Sequence, residues 1–553
     1  MKVPTVKTTT QSLSSPHSST KGSTVYTRIT RRILSFLLLL VAVATWGYMA
    51  WNVPFNNDEA VQFHTIACEL FPNAQLHKFR EGCGVKNLNV FGYSLPLRSY
   101  TYIGVSGALA FIPFWGIVAA PIALRVWTGF LWLASSVVLS RLLLVPWALV
   151  MTVVMLSTPV FAQHLIDTGP VAWQLLLLEC GVWLVITALT CSSLWRIGLL
   201  GSLAGLCAFL AFEQKGFVVY GACFALYLFI VATVRRGLLR EVGLRLGLLR
   251  FVACGGAFAL VSSVLLVILL SAKTIEGNSY YTALQSATKN YSINEMESWV
   301  SHFMTFVRDF ILFPTRYFHR VYDVAGIVSR ESDFLAVMCL SGVAAGAALL
   351  LAIERKWAYI ALLMLSALLA GGDLFLMARA QMAWAGHHVI FAHVIIFVGL
   401  AVALNALLPR YAVLVIGAVG LLLYEQVKPW QTLVNAKPQV ESDPSRMELL
   451  EIVDTPNFAS NYVVTHLSWG TYFIDALFGP RDQIVTWVES PEQPELEQIA
   501  RSRQRRLAFF RFECSKSDPR SQLIWDEYAK RKGMALRATS SSGKWELWVE
   551  PEA

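Results

Sequence analysis

The chain has 553 residues, 56% of them hydrophobic and 15% charged, with a mean hydropathy of +0.53. A soluble protein of this length carries far more charge, so composition excludes one and points to a polytopic membrane protein. The net charge of +9 does not call for nucleic acid, because Lys and Arg collect in short loops between apolar runs, the pattern that orients spans in a bilayer.

The first 27 residues are rich in Ser, Thr and Lys and read as a disordered cytoplasmic tail, taken to residue 32. The run Ile33–Trp51 is too long for a signal peptide and many spans follow it, so it reads as a retained first helix. Further runs of spanning length lie near 121–143, 145–163, 169–190, 197–212, 216–234, 251–272, 335–353, 357–377, 388–408 and, shorter, 411–424. The run "TYIGVSGALAFIPFWGIVAA" (101–120) is ambiguous. If it does not cross, the N-terminal basic residues, Arg141, Arg196, "RRGLLREVGLRLGLLR" (235–250), "ERK" (354–356) and Arg410 all fall on one side, the cytoplasmic one. It is therefore predicted to be re-entrant or to lie at the interface as two short helices, broken at Pro113.

The expected fold is thus a polytopic α-helical membrane protein with about eleven spans. Its membrane domain covers 33–425, with outer loops at 52–120 and 273–334, and the N-terminus is cytoplasmic. Residues 426–553 alternate β-like runs ("NYVVTHL", "DQIVTWV", "RLAFFRFE", "KWELWVE") with helix-like ones ("TYFIDALF", "DPRSQLIWDEYAKRKG") and read as a small extracytoplasmic α/β domain. A bacterial inner membrane fits the compact loops; an endoplasmic reticulum membrane imposes the same physics.

On the outer face, "VPFNNDEAVQFHTIACEL" sets Asp58 beside Glu59 just after the first span. One reading is a helix start capped by Asn57 or Asp58. The other is a general base, which a carboxylate held ionised at a helix N-terminus suits. A second outer loop, "STPVFAQHLIDTGPVAW", carries His164 and Asp167. Asp167 also has a helix-start reading, but it shares the outer face with Asp58. Two acidic loops on one cavity would allow a divalent cation without fixing a ligand set; the nine cysteines show no metal-ligand spacing. Cys68 and Cys83 share the first outer loop, where a disulfide is allowed.

Basic residues recur on the same face against the orienting bias: Lys86, Arg98, Lys215, Arg308, Arg316, His319, Arg320, Arg379, His387 and His388. Snorkelling at the interface accounts for most of them; for Arg98, Lys215 and Arg379 a lipid-linked phosphate is an equal reading. Glu179 and His393, within spans, read as contacts inside the bundle. They would line a path if the chain were a transporter or flippase of a lipid-linked or polar solute, the main alternative; no internal repeat of the transporter kind is visible.

Taken in order, "NNDEA", "GYSLPLRSYTYIGVSGALAFIPFWG", "PIALRVWTGFL", "STPVFAQHLIDTGPVAW" and "AGLCAFLAFEQKGF", followed by an outer C-terminal domain, resemble the GT-C superfamily of integral-membrane glycosyltransferases that use polyprenyl-phosphate sugars. The nearest branch is that of protein O-mannosyltransferases and the aminoarabinose transferase of lipid A. The resemblance implies a transferase moving a hexosyl or pentosyl group to an acceptor hydroxyl on a protein, lipid or glycan, with inversion. It implies Asp58 as base, with Glu59 beside it and Asp167 in support. It implies donor-phosphate binding by Arg98 and, with less of the pattern matched, Lys215, Arg379, His387 and His388. The segment "SLPLRS" departs from the family's Lys-Pro-Pro run, which leaves open which residue grips the phosphate.

Overall fold

In lipid every backbone N–H and C=O needs a partner within the chain, so an apolar run of spanning length must fold as a helix. The computed structural model describes residues 21–52, 87–90, 93–96, 98–100, 103–104, 106–111, 122–157, 170–214, 221–238, 244–271, 296–311, 330–378, 386–435, 445–453, 455–467, 484–487, 491–492, 494–512 and 519–551. Helix α1 (Lys21–Asn52) begins inside the stretch 1–32 read as a disordered tail. Its length, about 48 Å at 1.5 Å per residue, exceeds the roughly 30 Å of hydrocarbon. Once the apolar part is helical, adding a polar turn requires no new nucleation.

Strands β1 (Asn87–Val90) and β2 (Tyr93–Pro96) form one antiparallel hairpin, and β3 (Arg98–Tyr100) and β4 (Ile103–Gly104) another. Helix α2 (Ser106–Phe111) follows. The rest of the run 101–120, residues 112–120, lies outside those described. The bundle continues with α3 (Ile122–Leu143), α4 (Trp147–Leu156, a π-helix from Val150), α5 (Pro170–Thr190), α6 (Leu194–Gln214), α7 (Gly221–Arg235) and α8 (Leu244–Ser271). Then come α9 (Met296–Ile311), α10 (Arg330–Ile353) and α11 (Trp357–Met377). Among the described residues six helices are long and apolar enough to cross a membrane.

The segment Gly386–Val434 is two helices, α12 and α13, meeting at Tyr411, whose φ of −119° and ψ of 38° leave the helical region. Lys356 Nζ donates to the Ala406 carbonyl, and Gly399 lies against Ser366, so α12 runs antiparallel to α11. Glu354 meets Arg410 and Tyr411, and Cys339 meets Glu425, so α13 runs antiparallel to α10. Because α10 and α11 are themselves antiparallel, the chain reverses at Tyr411. The runs 388–408 and 411–424 are therefore separate helices. Helix α13 continues to Val434, past the boundary expected at residue 425, because the polar stretch after Tyr424 prolongs the helix as it does in α1.

Hydrogen bonds gather the basic turns at one end of the bundle. Arg235 at the end of α7 donates to the Leu143 and Leu144 carbonyls and to the Tyr359 hydroxyl. Arg250 in α8 donates to the Leu189 carbonyl of α5. Glu354, hydrogen-bonded first by Tyr411 and paired with Arg410, is held below the usual carboxylate range.

Helices α6 and α8 approach closely at Gly201 and Gly205, a small-xxx-small pair. A Cβ at Gly205 would stand 2.6 Å from the Phe258 carbonyl oxygen, and one at Gly201 2.5 Å from that of Cys254. Backbone cannot yield as a side-chain tip can. Gly205→Val is expected to destabilise the bundle by about 1–3 kcal/mol, read as a lower thermal unfolding temperature in detergent; an unchanged temperature would show that the two helices separate freely.

The C-terminal domain is a five-stranded mixed sheet in the order β6-β5-β7-β9-β8. It comprises β5 (Tyr462–His466), β6 (Ile484–Trp487), β7 (Arg506–Phe512), β8 (Ala535–Thr539) and β9 (Trp545–Val549). Alternation along β5 and β7 sends Val463, Leu507 and Phe509 to one face and Val464, Ala508 and Phe510 to the other. The first face is covered by α16 (Pro494–Ser502) and α17 (Pro519–Lys532), the second by α14 (Arg446–Val453) and α15 (Pro456–Asn461). Glu497 of α16 pairs with Lys532 at 2.5 Å and Arg501 at 2.8 Å, and the Lys532 hydrogen bond leads in holding its carboxyl below the usual range. A lowered folded value adds stability above the unfolded pKa near 4.3, and that stability is lost as pH falls through the folded value. Glu497→Gln should cost less than about 1 kcal/mol at neutral pH and nothing in strong acid. Urea unfolding of the full chain followed by tryptophan fluorescence tests this; an equal loss at both pH values would be inconsistent with it.

Candidate functional site

At the end of the bundle opposite the basic turns, a polar hub ties three distant segments together. The Ser106 amide donates to Glu213 Oε2 at 3.1 Å, and the Gly107 amide donates to Gln214 Oε1 at 2.7 Å. Gln214 Nε2 returns a bond to the Gly104 carbonyl at 3.3 Å. The Ser106 hydroxyl lies 3.1 Å from Gln214 Oε1 and accepts from Trp173 Nε1 at 3.1 Å. Gln174, beside that indole, donates to the Ala211 carbonyl at 2.8 Å. Glu213 and Gln214 are buried, and their polar atoms require partners of this kind. The β3–β4 hairpin and α2 are thereby fixed onto the start of α5 and the end of α6.

Trp127 of α3 joins this group, its ring 6.1 Å from Phe111 and 6.4 Å from Trp173. Two residues earlier, buried Arg125 donates to the Ala50 carbonyl at 2.5 Å, which holds the end of α1 against the same corner.

A second wall stands alongside. Helix α9 docks on the end of α11, with Trp299 donating to the Phe375 carbonyl at 2.8 Å and His302 Nδ1 to the Ala378 carbonyl at 2.8 Å. Phe310 of α9 packs on His393 of α12 at 4.1 Å. Gly221, first residue of α7, connects the walls: a Cβ there would meet Leu178 of α5 at 2.7 Å and Phe391 of α12 at 3.2 Å.

The residues expected to carry chemistry border these walls in sequence. Asp58, Glu59, Asp167, Lys215 and Arg379 lie outside the described residues, as do Cys68 and Cys83. Their flanking elements are placed. Helix α1 ends six residues before Asp58, α5 starts three after Asp167, α6 ends immediately before Lys215, and α11 ends at Met377, two residues before Arg379. Arg98 is a β3 residue whose register partner is Gly104, and His387 and His388 occupy the first turn of α12. Among the described residues no three His, Cys, Asp or Glu side chains stand together as metal ligands; the carboxylates named for a cation are not among them.

Inside the bundle, Glu179 accepts from the Ser135 hydroxyl at 2.7 Å, the kind of contact the sequence suggested. Asp373, fully buried in α11 opposite the Ala392 backbone, is a second intramembrane carboxyl that the sequence reading did not single out. That reading also missed Ser106, Trp173, Glu213 and Gln214. The signal for the last two was an adjacent polar pair closing an otherwise apolar helix in "FEQKGF".

The chain is therefore a multi-pass helical membrane protein with a small C-terminal sheet domain. No protein-family model and no curated protein sequence matches it. Among solved structures it is similar to ArnT from Cupriavidus metallidurans bound to undecaprenyl phosphate, at TM-score 0.51 and 11% identity, covering 94% of this chain and 98% of that one. It also matches the oligosaccharyltransferase of Archaeoglobus fulgidus in complex with zinc and sulfate (TM-score 0.40, 10% identity, 85% and 67% covered) and ArnT in the apo state (0.35, 11%, 93% and 97%). The first of these likenesses shows an ArnT-like fold.

Proposed function

We propose that this protein is a glycosyltransferase that moves a sugar from a polyprenyl-phosphate donor to an acceptor hydroxyl on the outer face of the membrane. The observation that carries the reading is the hub at Ser106. It holds together the segments that lead to Arg98, Asp167 and Lys215, while Arg125 holds the end of α1 leading to Asp58. The likeness to a fold that holds undecaprenyl phosphate in ArnT supports it.

In this reading the polyprenyl tail lies in the bilayer and the sugar phosphate enters between the two walls. Asp58 takes the proton of the acceptor hydroxyl as its oxygen bonds to the anomeric carbon. The bond from that carbon to the phosphate oxygen breaks on the opposite side, inverting the centre, and the electron pair leaves with the lipid phosphate. Arg98, with Lys215, Arg379, His387 and His388, stabilises the charge gathering there. Asp167 orients the base or acceptor, and Glu59 flanks Asp58. The basic turns face the cytoplasm and the C-terminal domain lies outside.

The test uses the full chain in lipid vesicles with radiolabelled polyprenyl-phosphate hexoses and pentoses and a membrane extract as acceptor. Transfer of label from lipid to acceptor supports the reading. No release from any donor, together with movement of labelled lipid between leaflets, would replace it with the flippase reading.

A further inference from the structure

The turn between α3 and α4 opens on a cavity of about 580 Å³ at the basic end of the bundle, lined by Val137, Ser140, Arg141, Leu144, Trp147 and Asn405 among others. Several of its polar groups are engaged. The Ser140 hydroxyl donates to the Val145 carbonyl at 2.8 Å, and Trp147 Nε1 donates to Ser136 Oγ at 2.8 Å. The turn carbonyls of Arg141, Leu143 and Leu144 are covered by the guanidinium groups of Arg235 and Arg236. Two side chains remain: exposed Arg141 and half-buried Asn405. Neither has a hydrogen-bond or ion-pair partner among the described residues. Among the described residues no carboxylate lines the cavity, and Glu354 in the neighbouring turn is engaged by Arg410 and Tyr411. An anion is what such a set accepts.

The helix that carries Arg141 indicates what kind of anion. Phe130, Leu133, Val137 and Arg141 recur at three- and four-residue intervals and share one face of α3. The three apolar residues are exposed on that face, at 52%, 37% and 45%, so they look outward along a membrane-spanning helix. From Phe130 to Arg141 the helix rises about 16 Å, close to the roughly 15 Å of hydrocarbon in one leaflet. Leu144, held at φ +53°, adds an exposed apolar side chain at the cavity mouth. A free phosphate has no use for such a track; an acyl chain does.

We infer that this cavity binds an anionic phospholipid of the adjoining leaflet, its phosphate held by Arg141 and Asn405 and one acyl chain lying along Phe130, Leu133 and Val137. The site stands apart from the polar hub, at the other end of α3. It takes a resident lipid and not a reacting one.

The full-length protein in detergent is titrated separately with phosphatidylglycerol, phosphatidylcholine and inorganic phosphate, and native mass spectrometry counts bound molecules. Wild type should retain phosphatidylglycerol in preference to phosphatidylcholine. Arg141→Ala should weaken phosphatidylglycerol about tenfold, the loss of one charge-assisted contact. Arg196→Ala, an exposed arginine on another turn of the same end, should leave binding unchanged. Asn405→Asp, which sets a carboxylate in the cavity, should weaken phosphatidylglycerol but not phosphatidylcholine, and keeps the test open if Arg141→Ala folds poorly. Equal retention of both lipids, or wild-type binding by the Arg141 and Asn405 variants, would overturn the inference. So would inorganic phosphate binding as tightly as the lipid with the same dependence on Arg141.

Discussion

Asp58→Asn is expected to lower sugar transfer from a polyprenyl-phosphate donor by a factor of about 10²–10⁴, the range of a lost general base, while leaving donor binding nearly unchanged. The substitution separates the two readings of this carboxylate. Asn caps a helix N-terminus about as well as Asp, so a structural cap survives the change. The ability to hold the acceptor's proton does not. The loss should therefore appear in kcat, with KM for the donor close to wild type. Arg98→Ala should show the complementary pattern, with weaker donor binding, because in the proposed mechanism its charge meets the phosphate in ground and transition states alike. Full activity in Asp58→Asn would return Asp58 to the cap reading and leave the flippase hypothesis ahead.

Gly104→Val is expected to abolish activity and lower thermal stability together. A Cβ at residue 104 would stand 2.1 Å from the Glu213 carbonyl oxygen and 2.3 Å from Glu213 Oε1. The first obstacle is backbone, so the β4 residue must lift off the end of α6. Lifting it breaks the Gln214 bond to the Gly104 carbonyl and strains those to Ser106 and Gly107. Buried polar groups left without partners cost about 1–3 kcal/mol each. Gln214→Leu, which removes the receiving side chain without inserting bulk, should be milder: measurable destabilisation with part of the activity kept. Activity and unfolding temperature measured on both variants test the order. A stable, active Gly104→Val protein would show that the hairpin is not anchored where the hydrogen bonds place it.

The membrane passes were legible because hydrocarbon leaves few alternatives. Length and charge placed the runs at 121–143, 169–190 and 357–377 within a residue or two of the helices observed. The turn charges, Arg141, Arg410 and the "ERK" at 354–356, do meet at one end. The hub was not legible. Ser106 and Gln214 are paired across more than a hundred residues, and no local periodicity records a contact at that distance. In the C-terminal domain the inner strands announced themselves by β-branched and aromatic residues. Strand β8 did not: it is an edge strand with four of its five residues exposed, and "ALRAT" carries no apolar alternation. The helical start of α1 was missed for a different reason. Polar composition reads as disorder in isolation, but a helix already paid for by its apolar half extends into it.

The hub also has a consequence for how the protein is made. Gly104 and Gln214 are 110 residues apart in the chain. At a ribosomal rate of about 5–20 residues per second, the amides of α2 wait about 5–20 s for the side chains that satisfy them. During that time α3 to α5 are synthesised and α6 follows them. The corner where the candidate site forms is thus closed late by a helix arriving from downstream. A chain that stops short of Gln214 lacks the side chain that ties Gly104 and Gly107 to the end of α6.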